Sequence, residues 1–360
     1  MKKLPGREED DKMSKIFARL GDGFATEISE AELMKDIEGG TKEASERAKV
    51  PPLSQDEIKH LFEFCKNTLK MAGVEKGKEI VLSYDGGTNK IGRLGINTGR
   101  LQALQIYERC FGADTTELSQ VDYSYKAVKP VIHEDMPIME QAQLLMVVPV
   151  FYGAMPNLGL YTQPDGPVPN PAELLPRGKI KEAREAYERA IEYAVRDMVY
   201  VGSAFYEGGA DGINFDTVGA SGDPDFKAAL LAAEALKKKY PDICIEMGMA
   251  GEFVIGMHGE LEHKGVRLAG LYPHDQVKIA QESGVTIFGP AVTTATNKTI
   301  AWTLARAITF TKAAVKAAKV PVHGNMGMGV GGLPVCETPP VDAVSLASRA
   351  MVEISRLDGL

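Results

Sequence analysis

The sequence predicts an α/β fold built by repetition: a (β/α)8 TIM-type barrel, incomplete at its C-terminal side, with an N-terminal α+β extension. Three observations carry this. First, residues 179–207 place Ile180, Ala183, Tyr187, Ala190, Ile191, Ala194, Met198 and Phe205 at helical spacing. The pattern stops at Gly208-Gly209, which suit a left-handed helix cap, and a strand over 212–215 follows with polar Asn214 and Asp216 at its far end. Second, the same order returns. Glu282-Ser283-Gly284 leads into an apolar strand over 285–288, and residues 316–319 lead into another over 320–323. Third, polar and glycine-rich loops follow nearly every predicted strand at the same end. A barrel places its loops that way, whereas an open doubly wound sheet gathers them at one switch point.

In chain order, residues 1–28 read as a charged arm with a short strand or turn near 21–26. Ser29/Glu32 and Ser54/Glu57 fit the capping box, in which hydroxyl and carboxylate satisfy the first amides of a helix reciprocally. The second helix carries Ile58, Leu61, Phe62, Cys65 and Leu69 on one face. A strand is expected over 79–84 and an irregular loop over 85–100, which holds five glycines. Residues 1–115 therefore form the extension or cap, and 116–360 the partial barrel. Its first strands fall near 121–125 and 144–151. The Pro- and Gly-rich stretch 152–176 is a long loop, either a lid over a site or a surface excursion. Helices follow over 226–240 and 298–319, with a strand over 243–246 between them. The last helix starts with Thr338 as N-cap and Pro339 in its first turn, and runs to about Ser355. A further strand begins at Leu357; closing eight strands would take roughly 60 more residues at about 30 per β/α unit.

The net charge of −8 argues against a nucleic acid or an anionic membrane as partner, since both favour a basic face. No apolar run approaches the roughly 18 residues needed to span a bilayer, and no apolar core follows Lys2-Lys3 to make a secretion signal. The four cysteines, Cys65, Cys110, Cys244 and Cys336, lie far apart in no metal-binding spacing. A cytoplasmic protein with free thiols and no bound metal is expected.

Candidate chemistry sits at the predicted carboxyl ends of strands, the catalytic rim of a barrel: Asp216, Glu246 and His323, with Asn214 and Glu252 close by in sequence. Carboxylates there can hold an ammonium or shuttle a proton. Bland roles compete: helix capping for Asp216, a buried ion pair for Glu246, a satisfied core histidine for His323. The run 324–332, Gly-Asn-Met-Gly-Met-Gly-Val-Gly-Gly, lets backbone approach a ligand closely, and otherwise is a tight turn. No Gly-Lys-Ser/Thr follows to make it a phosphate loop. His258, His263 and His274 match no zinc motif and are expected in a surface loop.

Several segments together carry a resemblance. They are Phe-Tyr-Gly-Ala-Met-Pro-Asn from 151, Gly-Ala-Asp-Gly-Ile-Asn-Phe-Asp-Thr from 209, and Met-Gly-Met-Ala-Gly-Glu from 247. Gly-Met-His-Gly from 256, the glycine-rich run from 326 and Glu-Thr-Pro-Pro-Val-Asp-Ala-Val from 337 complete the set. Over residues 20–360 the chain resembles the dimethylamine methyltransferases of methylamine-using methanogens. The resemblance implies methyl transfer from dimethylamine to the Co(I) corrinoid of a partner corrinoid protein, by a homo-oligomeric enzyme. It also implies pyrrolysine, encoded by an in-frame amber codon, directly after Leu360. A chain stopping there is expected to be inactive and to expose a sheet edge. On this reading Glu246, Asp216 and His323 are the catalytic candidates. Asn214, Glu252, Tyr152, Gly327 and Gly329 are candidates for facing substrate or partner. Two rivals stay open: a non-catalytic truncated barrel that binds the corrinoid protein or full-length subunits, and a TIM-barrel lyase.

Overall fold

The computed structural model describes residues 15–68 and 151–360, except 155, 220–221, 257–259, 325, 327–328 and 337–338. The expected strands near 79, 121 and 144 and the expected boundary at 115 lie outside these residues.

The N-terminal part opens with a hairpin. β1 (Ile16–Arg19) pairs antiparallel with β2 (Ala25–Ile28), Ile16 opposite Ile28, so the turn expected near 21–26 is the hairpin tip and the start of its second strand. Helices α1 (Glu30–Ala48) and α2 (Gln55–Lys66) follow, and both capping boxes form as expected. Neither helix stands apart from the rest. Ile37, Ala44, Leu61 and Cys65 share one apolar core with Leu304, Ile308, Phe310 and Leu346 of the C-terminal half. Within it, Thr41 Oγ1 lies 2.8 Å from Thr309 Oγ1 and accepts the Leu53 N–H at 2.8 Å.

The C-terminal part alternates strands and helices. In chain order they are β3 (Phe151–Ala154), α3 (Pro171–Leu174), α4 (Ile180–Glu207), β4 (Gly212–Val218), α5 (Asp223–Lys239) and β5 (Cys244–Met249). A small hairpin comes next, β6 (Glu262–His263) and β7 (Val266–Arg267), then α6 (Pro273–Glu282), β8 (Ile287–Gly289), α7 (Ile300–Ala317) and α8 (Val341–Ala350). Strands β3, β4, β5 and β8 form one parallel sheet in that order. Parallel bridges Phe288–Val322 and His323–Gly359 carry it on to residues 322–323 and 358–359. Spatial order thus follows chain order, with no switch point among the described residues. This is a mixed α/β architecture with a parallel sheet; the pairings among the described residues do not close it into a barrel.

Side chains alternate across the strands with period 2. Ile213, Phe215, Ile245, Met247 and Phe288 are fully buried in the apolar core against helices such as α4, α5 and α6, while Val322 is fully buried in the core shared with α1 and α7. The alternate positions, Asn214, Glu246 and Gly248, are only partly buried and line the other face. The core therefore fixes the sheet from one side and leaves the polar groups together on the opposite one.

Four expectations change. The loop expected from 152 begins later, because Tyr152, Gly153 and Ala154 continue β3 by pairing with β4. The rest of that stretch is built rather than loose. It contains a 3-10 turn (Leu158–Tyr161), and buried Tyr161 donates its hydroxyl to Asp197 on α4 at 3.0 Å and stacks on Tyr193. The last helix starts at Val341, not after Thr338, with Pro340 at its N-cap in extended backbone. A proline biases the residue before it away from the helical region, so Pro339-Pro340 delays the start. Thr338 lies outside the described residues. Finally, His263 is no surface residue: it is buried in β6, with Nε2 2.9 Å from Glu234 Oε1 and 3.0 Å from Ser283 Oγ. His274 is partly buried beside Asp275, and burial, the dominant influence, holds its pKa below the usual value; His258 is not described. No helix among the described residues is long and apolar enough to cross a membrane.

Candidate active site at the carboxyl ends of the strands

Asn214 on β4 stands directly opposite Glu246 on β5 in the parallel register. Glu246 Oε1 lies 2.6 Å from His323 Nδ1, two strand positions further across the sheet. An ionised carboxylate only accepts, so Nδ1 carries the proton of this bond. Backbone pairing on both sides fixes His323 there. Its N–H donates to Phe288 O at 2.9 Å, and Gly324 N–H donates to Gly359 O at 2.9 Å. Asp358 adds a clamp: its N–H donates to Val322 O at 3.1 Å, and its Oδ2 accepts the Val322 N–H at 2.8 Å. Three strand ends thus bring Asn214, Glu246 and His323 together. The Asn214 carbonyl oxygen is buried and accepts no hydrogen bond among the described residues. A buried acceptor left in this way favours a ligand that donates.

Asp216 lies past Asn214 on the same strand, buried, at an irregularity: the β4–β5 register shifts between Phe215 and Val218. Thr217 takes a left-handed conformation there, with φ 50°, and its N–H donates to Asp216 Oδ1 at 2.8 Å. A bulge of this sort re-aims a side chain at the end of a strand.

Glu252 joins a different cluster. Both its oxygens take hydrogen bonds from the Arg306 guanidinium on α7; Oε2 also accepts from Thr293 Oγ1, and Arg47 Nη1 on α1 reaches Oε1 at 3.2 Å. Arg306 Nε donates in turn to Glu43 Oε2 at 2.7 Å. Burial pushes the Glu252 carboxyl up, but the bonds and charge of Arg306 outweigh this and hold it below the usual value. Sequence reasoning passed over Arg306. The signal was one cation inside an otherwise apolar run, Leu304-Ala305-Arg306-Ala307-Ile308, which calls for a buried partner.

Gly329, with φ 71°, turns the glycine-rich loop, and its carbonyl accepts the Thr294 N–H at 2.8 Å. The loop then meets the N-terminal hairpin tip, where Val335 N–H donates to Gly21 O at 2.7 Å. Gly327 lies outside the described residues, and Tyr152 is placed by its backbone, opposite Ile213. No group of three or more His, Cys, Asp and Glu among the described residues is arranged to hold a metal ion.

The cluster of Asn214, Glu246 and His323, with Asp216 beyond, combines a proton-carrying carboxylate–imidazole pair with a buried acceptor. It suits a small cation that donates N–H bonds and must gain or lose a proton. A family model described as dimethylamine methyltransferase matches residues 14–360 of the chain. No solved structure matches it.

Proposed function

Because the chain belongs to the dimethylamine methyltransferase family, we propose that it moves a methyl group from dimethylamine to the Co(I) corrinoid of a cognate partner protein. The observation that carries the site assignment is the Glu246–His323 pair, beside an Asn214 oxygen that is buried without a donor among the described residues. An amine leaves well only as a cation. Asn214 Oδ1 accepts an N–H of the dimethylammonium, and the Glu246 carboxylate stabilises its positive charge. His323 donates its Nδ1–H to Glu246 and holds that carboxylate against the ammonium; methyl loss leaves neutral methylamine, which takes its proton from water as it departs. Asp216 adds negative charge at the same rim. The corrinoid, when its carrier docks, would supply the Co(I) nucleophile, and the pyrrolysine that the resemblance implies would supply an electrophilic imine; Asn214, Glu246 and His323 would hold the amine beside them. The residues present fit an amine held at this rim: the Asn214 side-chain oxygen is buried without a donor among the described residues, beside the Glu246–His323 pair.

The reading extends to a (β/α)8 barrel, which the in-order parallel sheet supports, and to a cytoplasmic homo-oligomer. The glycine-rich loop and its neighbours would face the docked corrinoid protein. The test is dimethylamine-dependent methylation of Co(I) corrinoid by the full gene product. Glu246→Gln is expected to lower turnover by about 100-fold, the scale of acid–base and charge catalysis. Turnover at the parent level would remove Glu246 from the mechanism.

A further inference from the structure

Asp216 owes its place at the rim to a missing side chain on the neighbouring strand. A Cβ built on Gly248 would stand 3.1 Å from Asp216 Oδ1 and 3.9 Å from its Cα. Carbon–oxygen separations that short are tighter than side chains normally keep, so the carboxylate would have to yield by a few tenths of an ångström. It has little freedom to do so. Asp216 is buried, and the Thr217 N–H tethers Oδ1 at 2.8 Å. That N–H points at the carboxylate because Thr217 is held at φ 50°. A β-branched residue is rarely found there, at a cost of order 1–3 kcal/mol. Gly248 itself has no need of glycine's conformational freedom: it continues β5 and pairs with Gly289 of β8.

We propose that Gly248 is a positioning residue for the reaction. Its bare Cα leaves the space in which the Asp216 carboxylate rests, and the Thr217 N–H, aimed by the left-handed bulge, tethers the carboxylate over that seat. The inference rests on the reading of Asp216 as part of the dimethylamine site. A displacement of a few tenths of an ångström matters because charge stabilisation is set by where the carboxylate stands, and a 1 Å error costs on the order of 100-fold.

A double-mutant cycle tests it, using methyl transfer by the full gene product and urea unfolding of the same proteins. Gly248→Ala is expected to lower kcat about tenfold in the parent and to leave it within twofold in an Asp216→Asn, Thr217→Gly background, where the charge to be positioned is gone and its tether is loosened. Thr217→Gly alone is expected to raise the melting temperature, because glycine adopts φ 50° without strain. An equal loss from Gly248→Ala in both backgrounds would overturn the proposal. So would a parent-level kcat in Gly248→Ala, or a lower melting temperature in Thr217→Gly. Asp216→Asn alone speaks to a separate point: unchanged kcat there would strike Asp216 from the site. Coupling between positions 216 and 248 in the unfolding data would still decide whether the seat exists.

Discussion

Glu252 and Arg306 show how a single residue can be placed correctly in the chain and still belong to another part of the molecule. Both are buried, and their charges are met by Glu43 and Arg47 of α1 and by the hydroxyl of Thr293, from two other segments. Removing one member leaves the other's charge under-compensated, a loss of about 3 kcal/mol. Glu252→Gln is therefore expected to lower unfolding free energy by about that amount at pH 7, measured in urea. The pH dependence has a definite sense. The folded protein holds the Glu252 pKa below its ordinary value of 4.5. The stabilisation is thus complete above that value and is lost as pH falls through the lower, folded one. Acid titration of stability should be steeper in the parent than in Glu252→Gln; parallel curves would show that Glu252 contributes nothing to acid sensitivity. Sequence position brought Glu252 to the strand end, but Arg47 reaches it, and Glu43 reaches its partner Arg306, from α1, 205 positions before Glu252 in the case of Arg47. No local pattern carries that information. Glu246 and His323 were more legible, because strand ends of one parallel sheet converge whatever their spacing along the chain.

Helix α1 makes the corresponding point for a whole element. Its start was readable, since Ser29 and Glu32 satisfy orphan amides through local bonds alone. Its seat was not. A Cβ on Gly40 would stand 2.1 Å from the Trp302 carbonyl oxygen of α7, whereas one on Gly39 would meet only the Trp302 ring, at 3.2 Å. Backbone cannot move aside as a ring can. Gly40→Ala gains about 1 kcal/mol of helix propensity and meets an overlap worth about 1–3 kcal/mol. A net loss of about 1 kcal/mol is expected. Gly39→Ala gains the same propensity at little steric cost and should be neutral or stabilising. Thermal unfolding of the two variants side by side checks the ranking; equal effects would mean that α1 does not rest on α7 through Gly40. A glycine pair inside an amphipathic helix signals either a break or a close approach, and only the partner helix decides which.

At the scale of the molecule, one parallel sheet laid down in chain order assembles the candidate site. The repeat of helix, cap and buried strand was legible because each unit is local. The hairpin of β6 and β7 was not, since strands of two residues have no periodicity to read. The order of strands decides which side chains meet: Asn214, Glu246 and His323 are neighbours only while every register from β3 to Gly359 holds. The pairing beyond β8 has few backbone bonds, and Asp358 adds one from its side chain, accepting the N–H of fully buried Val322. Asp358→Ala removes that acceptor and should cost about 1 kcal/mol, the net worth of one hydrogen bond. Its larger consequence is positional. With the 322–324 segment less firmly paired, His323 holds its Nδ1 proton against Glu246 less steadily, and that proton should exchange faster with water. Proton NMR of the His323 Nδ1–H in the parent and in Asp358→Ala measures this directly. A resonance equally protected in both would mean that β8 alone sets His323, and that the last strand contributes stability without shaping the site.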